Sequence, residues 1–414
     1  MSGGSRPDLL FLSHRVPFPP HSGAAIRTLN ILRLLARDFR ISGLCFHRPD
    51  RASVSLASRM EEIGRYGPFE AVSIPQCHSR ARLLADHARS VLTRRAYTWY
   101  VHQSTEALDR VRQLLACRAF DLVHVDSLDL VRLLPLVAHL PVVCTHHNVE
   151  SELLARRARS ERKTLRRAYL LHQAALIRKA EAEWAPRVAL NVVVSPEDGD
   201  ELGRIAPGAA TAVIPNGVDT DFFRPAPQDI DQSQAGCVFV GGTSWHPNRD
   251  ALVWFVQDIL PLLRASGMTE LVTWVGSVTP EEIRRYEDVA GFRVTGYVED
   301  IRPYVHAAAC FIAPLRFGGG TRLKILDAWA MAKAVVSTPA GAEGLGATSG
   351  QHLLLAEDPR GFTEAILRVL RDPVLRQRLG AEGRGLAEKR FSWEVTGRHI
   401  RDVYLSVMLG TTNP

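Results

Sequence analysis

The stretch Cys237-Val-Phe-Val-Gly-Gly242 decides the fold, because it repeats in mid-chain a pattern already present near the start. An apolar run ends in a glycine-containing loop and a segment of helical periodicity follows, as residues 24–36 follow the run 9–12. Strands and helices that alternate in this way predict parallel sheets covered on both faces. The sequence therefore predicts an α/β protein with two doubly wound, Rossmann-like units.

Further strands are predicted in both halves by short apolar or β-branched runs bounded by turn signals. They cover residues 41–46, 71–74, 122–125, 142–145, 189–194, 211–214, 271–275, 292–295, 310–313 and 335–337. The polar stretch 228–235 suits a linker or loop, and the chain is helical in pattern from about residue 360. Because ligands of open α/β sheets bind at the carboxyl ends of strands, we expect a site in a cleft between the two units.

The composition excludes several classes of protein. The chain has 414 residues, of which 46% are hydrophobic and 23% charged, as in an ordinary globular protein. The best apolar stretch, residues 128–144, is interrupted by charged side chains and is too short to span a bilayer, and no secretory signal is visible. The six cysteines are scattered, which predicts reduced thiols in a cytoplasmic protein.

The positive charge lies in the first half. Residues 1–200 carry 29 Lys and Arg against 20 Asp and Glu, whereas residues 201–414 carry 22 against 24. Such asymmetry indicates that the first half faces an anionic partner, for which a membrane surface, nucleic acid and a phosphorylated substrate are the alternatives. The helix-like stretch 156–179 holds nine of these cations and reads equally as a lipid-facing or a solvated helix.

Two polar segments of the first half follow predicted strands. Gly23 precedes a helix, so its backbone N–H groups can face an anion, although a tight turn explains it equally well. The segment Thr145-His-His-Asn-Val-Glu150 follows a buried strand. Adjacent histidines point in different directions and no third spaced ligand is evident, so a histidine that contacts substrate is favoured over a metal site.

The run Phe317-Gly-Gly-Gly-Thr-Arg-Leu-Lys-Ile-Leu-Asp327 carries the strongest signal of the second half. Three glycines open a predicted helix whose first turn holds Thr321, Arg322 and Lys324. A diphosphate would meet free N–H groups, a positive dipole end and two cations there. Asp327, on the next turn, can accept hydrogen bonds from the hydroxyls of a ribose.

In combination, these segments resemble glycosyltransferase family four, a group of retaining transferases with the GT-B fold of two Rossmann-like domains. The closest resemblance is to sugar transferases of bacterial exopolysaccharide systems, and it covers nearly the whole chain. It is carried by residues 14–20, 147–150, 194–196, 215–219, 296–298, 319–328, 338–343 and 391–394. It implies an acceptor-side domain over residues 1–205, joined by the C-terminal helix 395–414, and a donor domain over residues 206–394.

The resemblance also implies roles for individual residues. The residues expected to bind the donor are Gly23, Thr243, Gly296, Tyr297, Val298, Gly319, Gly320, Thr321 and Asp327. Those expected to act in catalysis are His147, Arg322 and Lys324. The glycine turn would hold the diphosphate, residues 296–298 would meet the base, and His147 would lie near the transferred sugar.

Two departures from the family pattern matter. The first acid of the family pair falls at Gly319, and the usual Arg and Lys are missing from the loop Gly241-Gly-Thr-Ser-Trp-His-Pro-Asn248. Lys324 is therefore the first candidate to neutralise the phosphate charge. The reaction implied by the resemblance moves a sugar from a nucleotide diphosphate, UDP or GDP, to an acceptor hydroxyl, without a metal, a further cofactor or a covalent nucleophile.

The basic first half fits an acceptor such as a saccharide or lipid-linked saccharide, with peripheral contact to anionic membrane at the inner face of the plasma membrane. A sugar-nucleotide epimerase on the same fold and a non-catalytic nucleotide-sugar binder or assembly subunit remain alternatives. Nucleic-acid binding is not expected, because no aromatic-rich basic motif accompanies the charge.

Overall fold

The computed structural model describes residues 6–48, 54–226, 236–319 and 321–411, so the predicted linker 228–235 lies outside the described residues. The chain forms two compact units, Met1–Pro215 with Gly397–Pro414, and Asn216–Thr396. The division lies at Pro215 and not at the predicted residue 205, because Thr211–Val213 pairs with Leu190–Val193 in the sheet of the first unit. The returning C-terminal segment begins at Gly397, not at residue 395.

The first unit is built on a parallel sheet of seven described strands in the order β3-β2-β1-β4-β5-β6-β7. Its strands are β1 (Asp8–Ser13), β2 (Arg40–His47), β3 (Phe69–Ser73), β4 (Leu122–Val125), β5 (Val142–Thr145), β6 (Leu190–Val193) and β7 (Thr211–Val213). The strand order reverses between β1 and β4, which is where an open α/β sheet offers a ligand site.

The second unit repeats the plan with six described parallel strands in the order β10-β9-β8-β11-β12-β13. They are β8 (Cys237–Val240), β9 (Val272–Val275), β10 (Phe292–Val294), β11 (Cys310–Ala313), β12 (Ala334–Ser337) and β13 (Leu354–Leu355). The predicted α/β fold with two doubly wound units is confirmed. Only two residues long, β13 is too short to leave a periodic signal, and the sequence analysis misses it.

Helices cover both sheets, and the apolar strands are buried between them. The helices of the first unit are α1 (Gly23–Leu35), α2 (Leu56–Gly64), α3 (Arg80–Thr93), α4 (Thr98–Val101), α5 (Thr105–Cys117), α6 (Leu134–Val137), α7 (Glu150–Ser160), α8 (Thr164–Trp184) and α9 (Pro196–Ile205). Those that follow are α10 (His246–Trp254), α11 (Leu260–Ala265), α12 (Pro280–Tyr286), α13 (Arg302–Ala307), α14 (Leu323–Ala330), α15 (Pro339–Ala342), α16 (Pro359–Arg371), α17 (Pro373–Leu386) and α18 (Trp393–Met408). Within the described ranges, no helix is both long and apolar enough to cross a membrane.

Candidate functional site

The glycine-rich turn of the second unit lies between β11 and α14. The helix begins at Leu323, so Thr321 and Arg322 precede it, and only Lys324 of the predicted cations lies in its first turn. The expectation that all three residues share that turn is wrong, because Arg322 has a non-helical backbone, with φ −82° and ψ 86°. Gly319 lies in the turn, and Gly320 lies outside the described residues.

The guanidinium of Arg322 fastens this turn to the protein. It donates to the carbonyl oxygen of Gly319 and, at 2.9 Å, to that of Ala340, and it lies 3.7 Å from the carboxylate of Glu343. The side chain is buried. These contacts direct the guanidinium to oxygen atoms of the protein, so Lys324 is the better candidate for a phosphate.

The ammonium of Lys324 lies half-buried among aromatic and amide groups. Its Nζ donates to Asn248 Oδ1 at 2.6 Å and lies 4.0 Å from the ring centroid of Phe239. Desolvation, followed by the charge of Arg322, holds the pKa of this ammonium well below its usual range. The protein therefore compensates the charge incompletely, and an anion at this position would be stabilised.

Asp327 lies one turn after Lys324 on α14, on the same side of the helix. Burial raises the pKa of its carboxyl group to about 8, although Lys324 acts in the opposite direction. A carboxyl group with this pKa is poised between donating and accepting hydrogen bonds near neutral pH. Such a group suits hydroxyl partners better than a second cation.

The loop after β8 borders the same ammonium. Gly241 has a φ of 156°, and its carbonyl accepts a hydrogen bond from Trp274 Nε1 at 3.1 Å. Thr243 is buried; its hydroxyl donates to Glu282 at 2.7 Å and its backbone N–H donates to Ser277 at 2.9 Å. Within this structure Thr243 anchors the loop through both groups.

The predicted base-contacting segment follows β10. Gly296 has a φ of 75°, which favours glycine, and its carbonyl accepts a hydrogen bond from the N–H of Gly276 at 3.0 Å. Tyr297 is 59% exposed, whereas Val298 packs against the core. The segment shares the carboxyl edge of the second sheet with the loop after β8 and the glycine-rich turn.

In the first unit, one buried carboxylate that the sequence analysis missed organises the carboxyl edge of the sheet. Asp126 directly follows β4 and accepts hydrogen bonds from Thr28 Oγ1 at 2.8 Å and Ser13 Oγ at 3.1 Å. Three imidazole nitrogens surround the same carboxylate, namely His14 Nδ1 at 3.1 Å, His147 Nε2 at 3.4 Å and His124 Nε2 at 3.6 Å. The signal in the sequence that could have identified Asp126 is its position directly after a buried strand.

This arrangement sets the ionisation of the cluster. Burial alone would raise the pKa of Asp126, but the field of His147 and the hydrogen bonds of the three imidazoles outweigh burial and hold it well below the usual range. Burial lowers the pKa of His147, and the charge and hydrogen bond of Asp126 act in the opposite direction. With Nε2–H directed at Asp126, Nδ1 of His147 retains its lone pair.

The nitrogens of His14 and His147 and the carboxylate of Asp126 lie close enough to one another to hold a metal ion. The hydrogen-bond pattern does not suit this use. Arg15 Nε donates to His14 Nε2 at 2.8 Å, so the ring proton of neutral His14 lies on Nδ1, the atom that faces Asp126. In this tautomeric state the Nδ1 of His14 carries a proton toward Asp126 at 3.1 Å and offers no lone pair to a metal.

The other candidate of the first unit is Gly23, in the helix that also carries Thr28 of this cluster. Gly23 is the first residue of α1, whose N-cap Ser22 accepts a hydrogen bond from the N–H of Ala25. His147 also lines a cavity of the first unit. The other residues lining that cavity are Thr98, Ser127, Leu128, Asp129, His146, Asn148, Glu150, Ile177, Ala180 and Glu181.

Two doubly wound parallel units, each with polar side chains collected at the carboxyl edge of its sheet, define the GT-B class of glycosyltransferases. Residues 21–222 match the family model described as Glycosyltransferase Family 4, and residues 234–372 match the model described as Glycosyl transferases group 1. Together these matches extend over most of the chain. The chain therefore belongs to the family-four, or group 1, glycosyltransferases.

Individual proteins match over parts of the chain. An uncharacterized 44.6 kDa protein from the cps region of Klebsiella pneumoniae is 28% identical over 33% of this chain and 38% of its own length. Phosphatidyl-myo-inositol mannosyltransferase of Mycobacterium leprae is 28% identical over 48% of this chain and 54% of its own. The matched stretches thus span about half or less of these relatives.

A solved structure shares the whole fold. HepE of Anabaena, in complex with UDP and glucose, superimposes with a TM-score of 0.68 at 16% identity, and the match covers 97% of this chain and 100% of that chain. At this identity the likeness establishes the fold alone.

Proposed function

We propose that this protein transfers a sugar from a nucleoside diphosphate sugar to an acceptor hydroxyl, with retention of the anomeric configuration. The observation that carries the proposal is the incompletely compensated ammonium of Lys324 beside a glycine-rich turn and the Asp327 carboxyl. These are the groups that a diphosphate and a ribose require. The Anabaena neighbour solved with UDP and glucose supports a donor of the same class.

In this proposal, Lys324 pairs with the leaving diphosphate, and backbone N–H groups of Gly319 and Thr321 bind its oxygens. Arg322 holds the turn in shape. Negative charge develops on the diphosphate as the glycosidic bond breaks, and a fixed cation in a half-buried site stabilises that charge. The leaving phosphate takes the acceptor proton, so no covalent nucleophile is required.

The other candidates have supporting roles. Asp327 binds the ribose hydroxyls, the exposed ring of Tyr297 stacks on the base, and Thr243 holds the loop after β8. His147 accepts a hydrogen bond from a sugar hydroxyl at Nδ1. Gly23 leaves backbone N–H groups accessible at the start of α1 for a phosphate or the acceptor.

We further propose a role in bacterial polysaccharide or glycolipid assembly, on a saccharide or lipid-linked saccharide acceptor. The matched protein of Mycobacterium leprae is named as a phosphatidyl-myo-inositol mannosyltransferase, and the lipid in that name supports an acceptor of this kind. The six free cysteines suit a reducing compartment, and the net positive first half suits the inner face of an anionic membrane.

The test of the donor site is a thermal-shift panel of UDP, GDP, ADP and their common sugar conjugates, run with and without added divalent metal. We expect one nucleotide to raise the unfolding midpoint, because a ligand that binds only the folded state stabilises it. Asp327→Ala should lose most of this shift, whereas Asp219→Ala, on an exposed turn of the same unit, should retain it.

If no compound of the panel raised the unfolding midpoint of the native chain, a preformed donor site would be contradicted. A shift without conversion of the donor when candidate acceptors are supplied would favour a non-catalytic binder. Conversion of the donor sugar into its epimer with no acceptor present would favour the epimerase.

The loop after β8 offers a second test. A Cβ added at Gly241 would lie 2.7 Å from Lys324 Nζ and 2.5 Å from Asn248 Nδ2, on a backbone conformation that disfavours side chains. Gly241→Ala should therefore displace the ammonium and weaken nucleotide binding about tenfold, the equivalent of about 1.4 kcal/mol. Gly385→Ala is the matched control, because a Cβ there meets no heavy atom within 4 Å. Equal affinity of the two variants in titration calorimetry would contradict the role of Lys324.

A further inference from the structure

Helix α3 of the first unit has its polarity reversed with respect to an ordinary surface helix. Its buried residues are Asp86 and Ser90, and Asp86 accepts a hydrogen bond from Gln76 Nε2 at 2.9 Å. The opposite side of the helix carries Leu84, which is 68% exposed, and Leu92, which is 82% exposed. Surface helices normally bury their apolar side, so this one presents an apolar stripe to its surroundings.

Helix α8 lies beside α3 and adds a further exposed leucine. Tyr169 of α8 contacts His87 of α3, and Gln173 Nε2 donates to Ser90 Oγ at 2.8 Å. These contacts occur in the same order along both helices, so Leu165, one turn before Tyr169, lies level with the beginning of α3. Leu165 is 88% exposed. We call Leu84, Val91, Leu92 and Leu165 the leucine face.

Cations accompany the leucine face. They are all exposed, and they are Arg80, Arg89, Arg94 and Arg95 at α3 and Arg162, Lys163, Arg166 and Arg167 at the start of α8. Asp86, the acid of α3, is buried, and Glu161 is paired with Arg166 at 3.1 Å. Exposed aliphatic side chains together with many cations are the combination that binds the interface of anionic lipid bilayers.

We infer that the leucine face is a docking surface for an anionic lipid bilayer, with the leucines inserted among the acyl chains and the cations paired with headgroups. Charge complementarity identifies the partner class, and the aliphatic stripe separates a bilayer from a nucleic acid, which would pair with the cations and leave the leucines in water. The inference rests on the membrane contact proposed above for the first half, assigns it to particular residues, and is independent of the donor chemistry proposed for the second unit.

The test is cosedimentation of the full chain with vesicles of equal parts phosphatidylcholine and phosphatidylglycerol, and with vesicles of phosphatidylcholine alone. The native chain should bind the anionic vesicles, and less so as salt is raised. The double variant Leu84→Ser/Leu92→Ser should bind at least about tenfold more weakly, because it lacks two aliphatic side chains that are transferred from water into the bilayer in the native chain. Val374→Ser is the control, because Val374 is 77% exposed in the other unit.

Three results would overturn the inference. They are failure of the native chain to bind anionic vesicles, equal binding by the double variant, and a native dimer that becomes monomeric in the double variant without any vesicle binding. The last would make the face an interface between copies of the chain. Nucleotide affinity, measured on the same samples, should be the same in all variants, so failure of this inference is distinguishable from failure of the proposed transfer.

Discussion

Replacing Lys324 by methionine should weaken nucleoside diphosphate binding roughly 30- to 1,000-fold, the equivalent of about 2–4 kcal/mol for removing one partner of a desolvated charge pair. The methionine side chain retains the apolar stem against Phe239, so the change removes the charge with little effect on packing. Hydrolysis of the donor sugar, with water as the acceptor, should slow about 100-fold, because the leaving diphosphate loses its cation.

Calorimetry in buffers of different ionisation enthalpy gives an independent readout. The pKa of Lys324 is lowered in the free protein, and a bound diphosphate would raise it, so at a pH between these two pKa values the native chain should take up a proton on binding. Affinity should then fall as the pH rises above the lowered pKa. The methionine variant should show neither effect, whereas Lys389→Met, at an exposed site, should behave as the native chain. Proton uptake that persists in Lys324→Met would assign it to another group.

The second large effect is expected from Asp126→Asn. The amide removes the charge that three imidazoles and two hydroxyls surround, and it replaces one of the two acceptor oxygens by an NH₂ group that cannot accept. Breaking a buried charged network in this way costs about 3–5 kcal/mol. The thermal midpoint of the first unit should fall by about 6–12 °C if 3 kcal/mol is lost in a unit of this size.

The pH dependence gives the sign of this contribution. The folded pKa of Asp126 lies below that of an unfolded carboxyl group, so the stabilisation is fully present above about pH 4 and is lost as the pH falls toward the folded pKa. The difference between native chain and variant should shrink in that range. Asp109→Asn is the control, because this 64% exposed carboxylate pairs with Arg112 at the surface and should contribute about 1 kcal/mol or less. Equal midpoints for Asp126→Asn and the native chain at pH 7 would contradict the network.

The donor-side residues were accessible from local sequence because they lie on one short segment. Glycines, cations and an acid within residues 317–327 predict an anion site whatever surrounds them. This pattern does not distinguish the role of Arg322 from that of Lys324. Arg322 turns back to the carbonyl groups of Gly319 and Ala340, and Lys324 keeps a desolvated ammonium, and this difference depends on atoms from other parts of the chain.

The cluster around Asp126 could not be predicted from the spacing of residues in the sequence. His14 follows β1, Thr28 lies in α1 and His147 follows β5, and the order β1-β4-β5 of the sheet makes them neighbours of this carboxylate. The leucine face was not predicted from the sequence for a related reason. The local pattern of α3 does not show which side of the helix is buried, and the structure buries Asp86 and Ser90, which accept hydrogen bonds from Gln76 and Gln173.

The sequence by itself determined the α/β class, nearly every strand and the glycine-rich turn, because these depend on periodicity and on backbone conformations written in neighbouring residues. Only the tertiary structure decided which side chains share a carboxylate, which cation is left without full compensation, and which face of α3 stays in contact with solvent. Those properties arise from burial and from contacts between distant segments, and desolvation acts on a group only after the chain has brought its neighbours around it.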